Sequence, residues 1–315
     1  MRSPRIWTII LTAALALGGA TSGCSRNKGK TVSVIGSTSI QPFAEMLAEE
    51  FNHANPGMYV EVQGGGSTAG LQAVESGYAH VGMCSRSLKS DESFTPITIA
   101  LDGVAVIVHP SNPIRTLSIH QIREMFAGKV ASWTSLGGPN LPVRLITREE
   151  GSGTREAFTN LVMEASPLCK QIKKLKGSYK DAATMPADAK AQIQDMEQRK
   201  DRIDMKAITQ PSNGSVRALV MGDPAAIGYI SLGQVGDGSE VRALHIEKDD
   251  GKIVEPTSHT VQDGRYPLVR PFLFVFKGEL GPQAKAFIDF VLSDKGQALL
   301  EEQGLVRVPK AGANP

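Results

Sequence analysis

The sequence predicts an α/β fold, and three observations carry the prediction. A short apolar strand-like run, a Gly/Ser/Thr-rich turn and an amphipathic helical segment follow one another three times. Strands and helices alternate along the chain rather than segregating into blocks. The length of 315 residues suffices for about two domains of ordinary size, each able to bury a core.

The chain opens on an export leader that stands outside that fold. Arg2 and Arg5 form a basic n-region, and Ile6 to Leu17 is an apolar run of signal-peptide length, too short for a membrane span. Thr21-Ser22-Gly23-Cys24 resembles a bacterial lipobox, although Thr21 stands where Leu is usual. Residues 1–23 are then a lipoprotein signal peptide, Cys24 is the lipid-modified first residue, and residues 24–30 are a polar tether. The alternative is ordinary cleavage near Gly18-Gly19-Ala20, which leaves Cys24 free.

The three repeated units follow in order. Val32 to Ile35 reads as a strand, Gly36-Ser37-Thr38-Ser39 as a turn, and the next segment as a helix with Phe43, Met46, Leu47 and Phe51 on one face. Pro42 fits the first turn of that helix, where a missing N–H is tolerated. Tyr59 to Val62, then Gly64-Gly65-Gly66-Ser67-Thr68, lead into a short helix through Leu71 and Val74 that stops at Gly77. Val143 to Ile146 precedes Arg148-Glu149-Glu150-Gly151-Ser152-Gly153-Thr154-Arg155, which opens a helix carrying Ala157, Phe158, Leu161 and Val162. Such turns aim unpaired N–H groups and hydroxyls at a helix N-terminus, where the dipole favours an anion. Arg148 adds a planar fork of donors suited to a tetrahedral oxyanion. Taken singly, each loop has another reading, since Ser and Thr are ordinary N-caps and Gly ordinarily serves turns. Three of them with an Arg point to one shared anion site.

These blocks, in this order, resemble the phosphate-binding proteins of the Pst ABC transporters. The likeness is carried by Ile35-Gly-Ser-Thr-Ser-Ile, Gly64-Gly-Gly-Ser-Thr-Ala-Gly, Val81-Gly-Met-Cys-Ser-Arg and Arg148-Glu-Glu-Gly-Ser-Gly-Thr-Arg. Ser212-Asn-Gly-Ser-Val with Ile227-Gly-Tyr-Ile-Ser, and Tyr266-Pro-Leu-Val-Arg-Pro-Phe-Leu-Phe-Val, extend it from about residue 31 to 310. The resemblance implies two lobes of the periplasmic-binding-protein kind, with a ligand cleft between them and hinge crossovers. Lobe 1 is expected over 31–110 plus 266–315 and lobe 2 over 111–265, with His109-Pro110-Ser111-Asn112-Pro113 as the hinge.

The same resemblance implies the ligand set. Ser37, Thr38 and Ser39 bind from the first loop, Ser67 from the second, and Ser85 from a position where some relatives place Asp. Arg148 supplies the countercharge, and Ser152, Gly153 and Thr154 close the third side. Glu150, where relatives carry Asp, is the expected acceptor for the proton that phosphate retains and sulfate lacks; its neighbour Glu149 is the alternative. Arg86 and Arg155 are the expected partners of these acids. The implied protein is an extracytoplasmic, monomeric receptor handing inorganic phosphate to the permease of an ABC importer. Another oxyanion such as sulfate, or phosphate sensing without transport, are the competing readings.

Composition narrows the remaining classes. Without the two leader arginines the chain is charge-balanced, and aromatics make up only 5%, so nothing marks a nucleic-acid surface. Three cysteines and scattered histidines give no metal-site spacing, so no metal and no cofactor are expected. Cys84 and Cys169 are left free or paired by sequence alone. Gly64 to Gly70 misses the dinucleotide fingerprint by one residue, Gly128-Lys129 lacks the rest of a P-loop, and Gly151-Ser152-Gly153 is no nucleophile elbow. An enzyme is therefore not expected; a phosphate-ester hydrolase would need Ser152 as nucleophile. A lysine-rich segment over about 164–206 departs from the relatives and reads as a solvated helical hairpin or a docking feature.

Overall fold

The computed structural model describes residues 31–179 and 183–308. The leader, Cys24, the tether and Lys180 lie outside the described residues. The architecture is two-lobed α/β, built on one continuous curled sheet. Its strand order is Tyr59–Gly64, Thr31–Gly36, Val81–Cys84, Val269–Phe276, Thr95–Val108, Ala226–Ser231, Arg144–Arg148 and Ile208–Gln210. Thr31–Gly36 pairs in parallel with both Tyr59–Gly64 and Val81–Cys84, as crossover helices require. Arg144–Arg148 likewise runs parallel to its two neighbours.

The 14-residue strand Thr95–Val108 joins the halves. Its first part, Thr95–Gly103, pairs antiparallel with Val269–Phe276, and its second part, Val104–Val108, with Ala226–Ser231. The change of partner falls at Gly103/Val104, upstream of the expected hinge at 109–113. The physical reason is that Ile107 and Val108 still have partners, Ala243 and Arg242, so the strand is pinned in the second half before Pro110 is reached. At the change of partner, the Tyr266 hydroxyl donates to the Val104 carbonyl at 2.8 Å, and the Val104 N–H donates to the Leu268 carbonyl at 2.7 Å.

Strand alternation distributes the cores. Val104, Val106 and Val108 face one cluster with Phe126, Trp133, Phe158 and Tyr229. Ala105 and Ile107 face the opposite one, with Ile146, Val216, Val220 and Ile230. The other half packs Val32, Val34, Leu47, Phe51, Phe272 and Phe287 together. Helix Gln41–Ala54 contributes Phe43, Leu47 and Phe51 at i, i+4 and i+8, with Pro42 in its first turn.

The 164–206 segment folds as two helices, Pro167–Gly177 and Ala187–Arg199, with a small core of Ile172, Ile193 and Met196. Its lysines are laced to acids, with Lys176 and Lys200 both on Glu197 and Lys173 on Glu164. Cys84 and Cys169 are both buried and free. Among the described residues no helix is long and apolar enough to cross a membrane.

Candidate anion-binding site

Glycines shape two of the three turns by close approach to their neighbours. Gly36 has φ +145° and sits against the Met83 backbone, where a Cβ would lie 2.3 Å from the carbonyl oxygen. Gly153 opens the third helix where an added Cβ would meet the hydroxyls of Ser67 at 2.2 Å and Ser85 at 2.6 Å. The backbone of one half thus lies directly on the hydroxyls of the other.

Capping separates the turns into two kinds. The helices Gln41–Ala54 and Ser67–Glu75 have no side-chain cap hydrogen bond; in the first loop the Ser37 Oγ accepts from the Ser39 N–H at 3.2 Å, ahead of the helix. Ser152 does cap: its Oγ accepts from the Arg155 N–H at 3.3 Å. The ordinary capping role therefore applies to Ser152 and not to the first two loops.

The uncapped hydroxyls meet one another instead. Ser37 Oγ donates to Ser85 Oγ at 2.8 Å, Ser67 Oγ lies 3.4 Å from Ser85 Oγ, and Ser39 Oγ lies 2.7 Å from Thr154 Oγ1. Ser37, Ser39, Ser67, Ser85, Ser152 and Thr154 are all buried, and Thr38 is half-buried beside them. Strands and helices from both halves therefore deliver one compact hydroxyl cluster.

Arg148, at the end of strand Arg144–Arg148, is 1% exposed. Its Nε and Nη2 donate to the two carboxylate oxygens of Glu149 at 2.9 and 2.8 Å, and further to the Gln210 and Pro211 carbonyls. Its Nη1 has no protein partner despite being buried. A buried guanidinium N–H without an acceptor is strongly unfavourable unless a ligand supplies one.

Glu150 is corrected by this geometry: it is exposed, and Glu149 holds the guanidinium. The Ser152 N–H donates to the Glu149 carbonyl at 3.3 Å, which makes 149–152 a tight turn with Glu150 at its first corner. Gly151 takes the second corner with φ +91°, the conformation such a turn reserves for glycine. A corner residue projects outward, so the acid two places after Arg148 reaches water. Arg86 is corrected too: it is buried on Glu92, by bonds of 2.8 and 2.7 Å, and on Glu156 at 2.8 Å. The Arg86 guanidinium holds the Glu92 carboxyl below its usual range. Arg155 donates to the Arg148 carbonyl at 2.6 Å rather than pairing with either acid of the turn.

Three residues at the site escaped the sequence reading: Arg270, Asp102 and Asn213. Arg270 and Asp102 are direct cross-strand partners, and both are buried. Arg270 donates Nε and Nη2 to Asp102 Oδ2 at 3.0 and 2.8 Å, and reaches Thr154 Oγ1, Ser39 Oγ and the Ser85 carbonyl. Burial pushes the Asp102 carboxyl above its usual range, against the pull of Arg270 and Ser231. Burial lowers Arg270, and the charge of Arg148 acts in the same direction. Asn213 donates from Nδ2 to Ser39 Oγ at 2.8 Å and Thr38 Oγ1 at 3.2 Å. The available signal was a lone Arg and a lone Asp in two otherwise apolar strands, since buried charges are found paired.

The arrangement brings two buried guanidiniums, Arg148 and Arg270, together with a hydroxyl cluster that Arg270 contacts directly. Among the described residues no hydrogen bond joins a histidine to a site serine, and no group of three His, Cys, Asp or Glu is placed to hold a metal ion.

The comparisons agree with this architecture. The PBP superfamily domain model matches residues 20–295. The chain is similar to a putative phosphate ABC transporter substrate-binding protein from Clostridium perfringens, solved with bound phosphate. It shares 33% identity and a TM-score of 0.72, with 89% of this chain and 100% of that one covered. An ABC-type phosphate transport receptor from Vibrio cholerae is 30% identical with TM-score 0.63, covering 88% and 100%. The phosphate-binding protein PstS of Bacillus subtilis is 27% identical over 284 residues, 88% of this chain and 81% of that protein.

Proposed function

The chain belongs to the PBP superfamily, and from that membership we propose that it is an extracytoplasmic receptor that binds inorganic phosphate and delivers it to an ABC importer. The observation that carries the proposal is the Nη1 of Arg148, buried without a protein partner at the end of the strand that leads into the Gly/Ser/Thr turn of the third helix. A tetrahedral oxyanion satisfies that N–H and accepts from the surrounding hydroxyls at once. Phosphate is chosen among oxyanions because the similar proteins from C. perfringens, V. cholerae and B. subtilis carry phosphate in their names or crystals.

In this reading Ser37, Thr38, Ser39, Ser67, Ser85, Gly153 and Thr154 surround the ligand, Arg148 neutralises it, and Ser152 shapes the helix entrance. The selectivity role moves from Glu150 to Glu149, the carboxylate that touches Arg148. A carboxylate there accepts the proton of hydrogen phosphate and repels sulfate, which brings none. The two lobes are the sheet halves on either side of Gly103/Val104, with the chain returning to the first near Tyr266–Val269. Attachment to the membrane is assigned to lipid on Cys24; fatty-acid labelling of expressing cells, lost in Cys24→Ser, checks it. The receptor binds and releases, with no covalent step.

Calorimetric titration of the ligand-stripped chain from Ser25 tests the reading. Saturable phosphate binding with no heat from sulfate is the expected result. Sulfate binding as tight as phosphate removes the role given to Glu149, and absence of binding by either ion removes the receptor reading.

A further inference from the structure

We propose that Arg270 and Asn213 are positioning residues that fix the direction of a hydroxyl relay, Ser39 to Thr154, and so make the Thr154 hydroxyl an obligate donor to the bound anion. The inference rests on the phosphate reading and deepens it by assigning the polarity of one side of the site.

A serine or threonine hydroxyl has one hydrogen to give and two lone pairs to fill. Ser39 Oγ accepts from Asn213 Nδ2 at 2.8 Å and from Arg270 Nη2 at 3.2 Å. Both donors are fixed. Asn213 Oδ1 accepts from the Ser231 N–H at 3.1 Å, which orients the amide with Nδ2 toward Ser39. A guanidinium has no acceptor at all.

With both lone pairs filled, Ser39 gives its hydrogen to Thr154 Oγ1, 2.7 Å away. Thr154 Oγ1 also accepts from Arg270 Nη1 at 2.9 Å. Its lone pairs are then filled in turn, and its own hydrogen must go to a further acceptor. An anion presenting an ionised oxygen supplies that acceptor, and accepts more strongly than a protonated or esterified oxygen at the same place.

Arg270 suits the task because nothing about it is free to turn. Its five N–H groups are all directed, two to Asp102 Oδ2 and the rest to Ser39, Thr154 and the Ser85 carbonyl. Asp102 is itself held, its Oδ1 accepting from Ser231 Oγ at 2.9 Å. The pair is cross-strand in the sheet, so its geometry is set by backbone register. Ser39 comes from one half of the molecule and Asn213 and Thr154 from the other, so the relay is complete only when both halves contribute.

A double-mutant cycle read by calorimetric titration with inorganic phosphate tests this. Thr154→Val removes the terminal donor, and Arg270→Lys keeps the charge on Asp102 while removing the planar fork. Each is expected to weaken phosphate binding by about 10- to 100-fold, the range for one hydrogen bond to a charged group. The double variant is expected to be no weaker than the worse single one, because both changes interrupt one relay. Losses that multiply, or wild-type affinity in a folded Arg270→Lys, overturn the proposal.

Should Arg270→Lys fail to fold, Asn213→Asp enters the same cycle. It keeps the acceptor for the Ser231 N–H but draws the Ser39 hydrogen to itself and reverses the relay. Its effect is expected to vanish in the Thr154→Val background; an effect that persists there is plain charge repulsion and overturns the proposal. Failure of the unmodified chain to bind phosphate removes the phosphate reading itself. Retained binding in the variants removes the relay alone.

Discussion

Arg148 combines full burial, a two-pronged bond to Glu149 and one N–H without a protein acceptor. Arg148→Gln is expected to weaken phosphate binding at least about 30-fold, as removal of one partner from a buried charge pair does. Glu150→Gln is expected to leave binding unchanged, because the side chain stands at the outer corner of the turn; titration of both variants compares them directly. Gly153→Ala places a methyl against the Ser67 and Ser85 hydroxyls. Overpacking of this kind costs about 1–3 kcal/mol, readable as a lowered Tm, and phosphate affinity is expected to fall with it. The charged and hydroxyl residues of the three loops were legible in the sequence because Gly/Ser/Thr turns before helices have a local signature. Glu149 and Glu150 are adjacent acids whose directions depend on the turn, so sequence favoured Glu150 and left Glu149 as the alternative, while the turn brings Glu149 onto Arg148. Arg270 and Asp102 lie 168 positions apart and meet only through strand register, for which a single sequence carries no local signal.

At the scale of elements, the helices around the site divide by whether their loop hydroxyls cap. Ser152 and Ser212 cap their own helices, whereas Ser37, Ser39 and Ser67 give their hydroxyls to the site. Residue type alone does not separate these cases, since the same side chains do both. The hairpin Pro167–Gly177 and Ala187–Arg199 is a self-contained pair whose polar faces are joined by Glu197. Hydrogen bonds from Lys176 and Lys200 bring the Glu197 carboxyl down to about 2 from its ordinary 4.5. A depressed carboxyl stabilises the fold above its unfolded value and loses that contribution as pH falls. Local stability of the hairpin is therefore expected to drop between pH 4.5 and about 2, and Glu197→Gln to flatten that limb, as measured by amide hydrogen exchange. From sequence the hairpin is expected as solvated helices, because mixed charge on a helix faces water.

Across the whole molecule, one strand, Thr95–Val108, belongs to both halves, and its change of partner at Gly103/Val104 is the narrow connection between them. Polar side chains reach across: Asn213, Gln234 and Thr154 meet the 38–39 loop, and Glu156 meets Arg86. Ligand held between the halves therefore stabilises their contact. Phosphate at 100 times its Kd is expected to add about 2.7 kcal/mol to the stability of the fold, seen as a concentration-dependent rise in Tm. The alternation of strands and helices announced the fold class, whereas the partner change inside the single strand Thr95–Val108 was marked only by Asp102-Gly103. Prolines at 110 and 113 are what placed the expected hinge at 109–113.

The most direct measurement is a crystal structure of the chain grown with phosphate. The account predicts a phosphate oxygen about 3 Å from Arg148 Nη1 and another about 3 Å from Thr154 Oγ1, with Glu150 still in solvent. Phosphate bound elsewhere, or held through Glu150 with Arg148 Nη1 left unpaired, would contradict it.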